Sequence, residues 1–467
     1  MSGWSCTLPF GPAGFARCVQ ALQAGEGFVL LASAKVDERL GRWSIACFEP
    51  EEIVAASAGA VVIRTGAGAT EIATTDPIGW LKARVRSVSR PESAPAAPFT
   101  GGYAGFFGYE LGRRLELPTG ERPAGAPTPD LALGRFTRVL SLDHASDTVT
   151  FVADAGSGPA LAARLSALAA DPANDPPAPP SWEPRAVIAD FTAEDYVAAV
   201  ERIREYIRAG DVYQVNLTQR LRAPIGDREP WLAFGALARA TPAPFAAFLR
   251  FPGVCVASAS PERFFSVADG YVETRPIKGT APRGRNTEED ARNLANLLAS
   301  EKDLAELTMI VDLLRNDLGR VCRPGSVRVT GFPEPETYAS VHHLVATVVG
   351  ELAADTDVWD LLRATLPGGS ITGAPKIRAM EIIDELEPVR RGVYTGCIGY
   401  LGHDGRADFN IAIRTAIFAG GEVHLHGGGG VVIDSSGAAE YAESLLKLQK
   451  PLEALRFVLP GSGPEVG

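Results

Sequence analysis

The stretch TAEDYVAAVERIREYIRAGDVYQVNLTQRL, residues 192–221, carries two different periodicities on either side of one glycine. Before Gly210, Tyr196, Val200, Ile203 and Ile207 recur at helical spacing behind Thr192, a residue type that caps helix N-termini, which predicts a helix over residues 192–209. After Gly210 the period falls to two, so that Tyr213, Val215 and Leu217 face one way while Gln214, Asn216 and Thr218 face the other. A strand with one polar face either lines a wet pocket or lies at a sheet edge against solvent.

N-terminal to this stretch, DPANDPPAPPSWEP, residues 171–184, holds six prolines, which resist helix and cannot donate ladder bonds. It is the expected linker between a smaller N-terminal region, residues 1–170, and a main functional region, residues 185–460. The N-terminal region shows β-like runs at Phe28–Ala32, 61–64 and 148–153, and a Gly-rich aromatic stretch, GGYAGFFGYELG, at residues 101–112. At 467 residues, 46% apolar and 22% charged, the chain has the composition of an ordinary globular protein with a sizeable core. No run of about 18 apolar residues and no secretory leader pattern is present, so a cytoplasmic protein without membrane contact is expected. Six scattered cysteines lack Cys-x-x-Cys spacing and are expected to be reduced. A net charge of -11 argues against nucleic acid as a partner, and an anionic substrate would need a locally positive pocket.

Several groups stand out chemically. A C-terminal helix expected over residues 438–448 puts Glu440, Glu443 and Lys447 on one stripe, which on spacing alone reads first as a solvated ion-pair face. A helix expected over residues 287–317 sets Glu306 beside an apolar face, where a carboxylate needs a partner, either an arginine or a hard cation such as magnesium. The glycines of HGGGGVVID, residues 426–434, and GGSITGAPK, residues 368–376, leave backbone N–H groups open to an anion, although neither has P-loop spacing. His424 and His426 share a strand face but have no third metal ligand nearby. In ETRPIKGTAPRG, residues 273–284, Lys278 lies between Ile277 and Gly279, a setting that can desolvate an amine and free it to attack carbon; most lysines are simply exposed.

Five strings, SPERF (260–264), PIKGT (276–280), VDLLRNDLGR (311–320), GGSITGAPK (368–376) and EYAESLLK (440–447), occur in the order in which they appear in chorismate-utilising enzymes. The resemblance is strong over residues 192–455 and weak before them. That family includes anthranilate synthase component I, aminodeoxychorismate synthase component I, and isochorismate and salicylate synthases. Its fold is an α/β (α+β type) arrangement, with antiparallel sheets in a two-layer sandwich, surrounding helices and the substrate cleft between the layers. Lys278 stands where anthranilate synthases have alanine and resembles the aminodeoxychorismate synthase form. Gln214 stands where the water-using relatives have a lysine.

The resemblance implies that Glu306 and Glu443 hold Mg2+, with Glu440 just behind them. It implies that Glu262 protonates the departing C4 hydroxyl and that Lys278 forms a covalent adduct at C2, which ammonia resolves at C4. Arg414, Tyr394, Lys447, Gly428 and Gly429 would anchor the two carboxylates of chorismate, while His343, Thr372 and Gln214 would line the ring site. The chain contains no Gly-x-Cys-x-Gly glutaminase turn, so the implied ammonia source is a separate glutamine amidotransferase subunit, and a separate lyase would be needed to reach 4-aminobenzoate. Two other readings are anthranilate synthase component I and a non-catalytic chorismate-binding regulatory protein. Leu307 departs from the His or Asn of relatives, and Ala32 in LLAS, residues 30–33, replaces the acid of tryptophan-regulated relatives.

Overall fold

Thr192 caps the helix Ala193–Ala209, its hydroxyl accepting from the Asp195 amide at 3.0 Å, and Gly210 ends that helix in the left-handed region at φ 83°. The structure, a computed structural model, describes residues 3–35, 40–57, 59–85, 97–117, 124–338 and 341–459; the expected domain end at 460 lies just outside them. The strand after Gly210 runs Gln214–Pro224, antiparallel to Glu422–Val431. Val215 and Leu217 are buried on one face, and Gln214, Asn216 and Thr218 are buried on the other, so the polar face looks into the protein rather than at solvent. Tyr213 departs from the expected pattern: it precedes the strand and is 72% exposed.

Two 12-stranded sheets form the layers. One runs from Gly3–Thr7 at one end to Gln214–Pro224 and Ile188–Ala189 at the other; the second runs from Ile277–Pro282 to Gly68–Ala73. Apart from the short parallel pair Arg185–Ala186 with Phe457–Val458, the paired strands are antiparallel among the described residues. The two-residue period of a strand sorts its side chains between cores. Val29, Ile45, Leu249 and Val256 of the first sheet meet Ile53, Phe106, Ala132 and Ile398 of the second in an inner core. Their neighbours Phe28, Leu30, Ala46 and Phe248 turn outward, under a layer that includes Phe15, Leu165, Phe234 and Leu452 from four helices. Val54, Phe107 and Leu131 do the same on the second sheet, under Leu81, Leu307, Trp359 and Ile383. The architecture is the expected sandwich with surrounding helices.

Each sheet takes strands from both sides of the Pro-rich segment at 171–184. The helix expected over residues 287–317 is two helices, Thr287–Leu298 and Glu301–Gly319, because the Ser300 hydroxyl starts a new helix by accepting from the Asp303 amide at 3.3 Å. The last helix, Gly437–Ala454, starts at the Ser436 cap and continues past the expected end. All six cysteines are free thiols, and no helix among the described residues is long and apolar enough to cross a membrane.

Behind the polar strand face lies a buried ion pair. Arg391 Nη2 donates to Glu387 Oε1 at 2.6 Å, with side chains 0% and 2% exposed. The same guanidinium reaches Ile371 O at 2.9 Å and Asn216 O at 2.8 Å, while Glu387 accepts from the amide and hydroxyl of Thr218. It ties the loop Gly369–Ile371 to the strand Gln214–Pro224. Removing one partner strands the other charge, so Arg391→Met is expected to lower the unfolding free energy by about 3–5 kcal/mol, measured by urea denaturation; a loss below about 1 kcal/mol would show the network to be incidental.

Candidate active site

The site forms where the Gln214–Pro224 end of the first sheet meets Ile277–Pro282, the terminal strand of the second. The helix Glu301–Gly319 packs on Ile277–Pro282 and Val341–Glu351 and carries Glu306 to Lys278, whose Nζ donates to Glu306 Oε1 at 2.7 Å. Gln214 Nε2 donates to the same oxygen at 2.5 Å, and its own Oε1 is buried without a partner. Burial opposes ionisation of Glu306, but Lys278 and Gln214 outweigh it and hold the carboxyl below its usual range. Lys278 is placed by a bulge: it pairs with Leu344, Thr280 pairs with the adjacent His343, and Gly279 between them sits at φ 78°, where a side chain would be strained.

Glu262 lies on the turn between Val254–Ser260 and Arg263–Ala268, buried, its Oε1 accepting from Ser370 Oγ at 2.8 Å. Burial pushes its carboxyl up to about 7, against the opposing pull of the Ser370 hydroxyl and the Lys278 ammonium. A carboxyl still protonated near neutral pH, within the field of an amine, can act as a proton donor.

The helix Gly437–Ala454 packs on Glu422–Val431 and turns its acids toward the glycines of that strand. Glu440 is buried, its Oε1 accepting from Ser435 Oγ at 2.6 Å and its Oε2 left without a partner; burial and nearby Glu443 raise its pKa. A Cβ on Gly429 would stand 3.0 Å from Glu443 Oε1 and 3.2 Å from Glu440 Oε2, and one on Gly430 would collide with the Gln214 amide and lie 2.9 Å from Glu306 Oε1. The bare strand therefore leaves room beside it for carboxylates from two helices. Among the described residues no three His, Cys, Asp or Glu side chains are yet arranged as a metal sphere. The acidic donors beside the strand are nevertheless all oxygens, one of them a buried orphan, which fits a hard cation that keeps part of its water. Lys447 Nζ bridges Glu443 Oε1 at 2.7 Å and Gly428 O at 2.9 Å, so it sits on the same strand.

The guanidinium of Arg414 forms no ion pair among the described residues, and burial lowers its pKa. An unpaired, desolvated cation of this kind favours an anion. His343 lies close by, its Nδ1 2.8 Å from Thr280 Oγ1; burial, aided by Arg414, pushes it down to about 4, so it is neutral. Thr372 is fully buried, its hydroxyl donating to Gly368 O at 3.0 Å and its carbonyl accepting from the Asn216 amide. Tyr394 stacks on His426 with centroids 4.8 Å apart, and burial pushes its phenol up to about 12. No hydrogen bond joins its side chain to the carboxylate cluster among the described residues. His424 and His426 are buried strand residues and, among the described residues, belong to no group of three side chains able to hold a metal.

Sequence reasoning missed Ser370, the partner of Glu262, although it lies inside a quoted motif. It also missed Lys376, which binds Asp317 at 2.7 Å and joins two motifs in a buried ion pair; burial pushes the Asp317 carboxyl up to about 6. Lys35, over the Tyr338 ring at 3.4 Å, adds an N-terminal cation near His343. Spacing carries no signal for such pairings. The protonated carbonyl band of Glu262 is expected to persist to about pH 7 in an infrared titration, and to a higher pH in Ser370→Ala, which loses a bond to the ionised form. Loss of that band by pH ~4.3, the ordinary glutamate value, contradicts the burial argument.

The sequence profile of the chorismate binding enzyme family matches residues 28–453. Aminodeoxychorismate synthase component 1 of Klebsiella aerogenes is 41% identical over 450 residues, covering 96% of this chain and 98% of that protein. Anthranilate synthase component 1 of Cereibacter sphaeroides is also 41% identical, over 388 residues covering 79% of this chain and 77% of that protein. The crystal structure of anthranilate synthase component I from Streptococcus pneumoniae TIGR4 superposes with a TM-score of 0.79 at 31% identity, covering 90% of this chain and 93% of that one. By profile, sequence and fold together, the chain belongs to the chorismate binding enzyme family.

Proposed function

We propose that this chain converts chorismate and ammonia to 4-amino-4-deoxychorismate, as an aminodeoxychorismate synthase component I working in the cytoplasm beside a glutamine amidotransferase subunit. The observation that carries the reading is Lys278, an amine in the PIKGT string, 2.7 Å from Glu306 and electrostatically coupled to the buried acid Glu262. Full-length relatives that carry the same activity in their names support it, whereas overall identity alone does not separate it from anthranilate synthases. The product would feed 4-aminobenzoate and folate synthesis after a separate lyase.

In this reading Glu306 and Glu443 hold Mg2+, with Glu440 behind them, and the ion supplies positive charge to the ring carboxylate. Arg414 and Tyr394 bind the second carboxylate, and Lys447 with Gly428 and Gly429 closes the anion site. His343, Thr372 and Gln214 shape the ring cavity. Once the Lys278 ammonium has lost a proton to solvent, its amine bonds to C2, both ring double bonds shift, and the C4–O bond breaks as Glu262 gives its proton to the leaving hydroxyl, releasing water. Ammonia then bonds to C4, both double bonds shift back, and the C2–N bond breaks to restore the lysine as its neutral amine. The carboxylate of Glu262 takes the surplus proton from the new ammonium group, closing the cycle.

Purified protein given chorismate, Mg2+ and ammonium is expected to accumulate 4-amino-4-deoxychorismate, identified by mass and by its conversion to 4-aminobenzoate only when a lyase is added. Anthranilate fluorescence without any lyase contradicts the assignment. Glu262→Gln is expected to lower kcat by about 10²–10⁴-fold, the usual contribution of a general acid.

A further inference from the structure

Each carboxylate assigned to the cation is already neutralised by a lysine. Glu306 pairs with Lys278 at 2.7 Å, the two side chains 16% and 12% exposed; Glu443 pairs with Lys447 at 2.7 Å, the side chains 45% and 51% exposed. The second is an i,i+4 pair on a helix surface, screened by water and easily parted. The first is largely shut off from solvent, so its partners interact through a lower dielectric.

The identity of the oxygen matters. The Glu306 oxygen nearest the glycine strand, 2.9 Å from where a Cβ on Gly430 would stand, is Oε1. The next glycine, Gly429, faces Glu443 Oε1 and Glu440 Oε2. Oε1 of Glu306, the oxygen beside the glycine strand, is the one that Lys278 and Gln214 both hold. A divalent ion held at this strand would meet Glu306 on the oxygen that already bears the lysine and the amide. The ammonium would then stand a few ångströms from a double positive charge with little water between, and one carboxylate cannot neutralise both.

We propose that the cation and the Lys278 ammonium compete for Glu306, so that filling the metal site is the event that detaches the amine from its carboxylate. This rests on the magnesium reading given above. Without metal, the nitrogen that is to attack carbon is held by a charge-assisted hydrogen bond. With metal, it is released toward the ring site, and the pocket gains positive charge that a dianionic substrate can use. Because coupling is reciprocal, whatever Lys278 costs the cation appears as lost metal affinity.

Titration calorimetry with MgCl2 on the full chain tests this. Lys278→Met, which keeps the stem and removes the charge, is expected to bind Mg2+ about fivefold or more tightly than wild type. Equal or weaker binding by Lys278→Met overturns the proposal and leaves the metal assignment standing; absence of Mg2+ binding by both proteins overturns the two together. The wild-type protein gives an independent reading that needs no variant. Labelling of Lys278 by trinitrobenzenesulfonate, followed by peptide mass spectrometry, is expected to speed up severalfold on adding Mg2+, and an unchanged or slower rate overturns the proposal.

Discussion

An ammonium and a carboxylate, Lys278 and Glu306, meet at 2.7 Å in a place where each is more than four-fifths withdrawn from solvent. Groups of opposite charge are kept there only if the surrounding structure leaves neither of them unpaired, and much of the architecture around them meets that demand. The helix Glu301–Gly319 is seated on the strand that carries Lys278; the bulge at Gly279 sets the register; and Gln214 reaches across from the other sheet to the same oxygen. The glycine strand opposite gives room, because a side chain at Gly430 would strike Gln214. Two sheets from distant parts of the chain must come together before any of these contacts exists.

The charge distribution follows from that meeting point. A chain of net charge -11 that handles a dianion has to concentrate its cations: Lys278 and Lys447 both act on Glu306 and Glu262, and Arg414 and Lys35 both act on His343. The acids of the cleft are differentiated by surroundings rather than by type. Glu262 is raised by burial with one hydroxyl as its hydrogen-bonded side-chain partner, whereas Glu306, also buried, is lowered by a lysine and an amide. One carboxyl is thus set to hold a proton and the other to hold positive charge. Tyr394 and His426, stacked and neutral, contribute surface rather than charge.

Local features were legible because their causes are local. The Thr192 cap, the Gly210 stop and the buried face of the helix between them follow from residues within one turn of each other. The polar face of Gln214–Pro224 was visible as alternation, but whether it met solvent or protein depended on Glu387, Arg391 and Glu306, up to 175 positions away. The helix expected over residues 287–317 divided because a serine hydroxyl competes for a backbone amide, which apolar periodicity does not register. The Pro-rich segment marks a real change in composition, yet strands from both sides of it share both sheets, and pairing partners leave no trace in periodicity. At the site, motif resemblance named the carboxylates, the lysine and the glycines. Ser370 and the Lys376–Asp317 pair stayed hidden because their importance lies in what they touch.

The central claim is that one amine, Lys278, bonds to the substrate ring during turnover. Intact-mass analysis of the protein mixed with chorismate and Mg2+ in the absence of ammonia tests it most directly. The account predicts a species heavier by chorismate less one water, mapped to the peptide bearing Lys278 and missing from Lys278→Ala. A protein that turns chorismate over when ammonia is restored, yet yields no such species, or yields it equally in Lys278→Ala, contradicts the account.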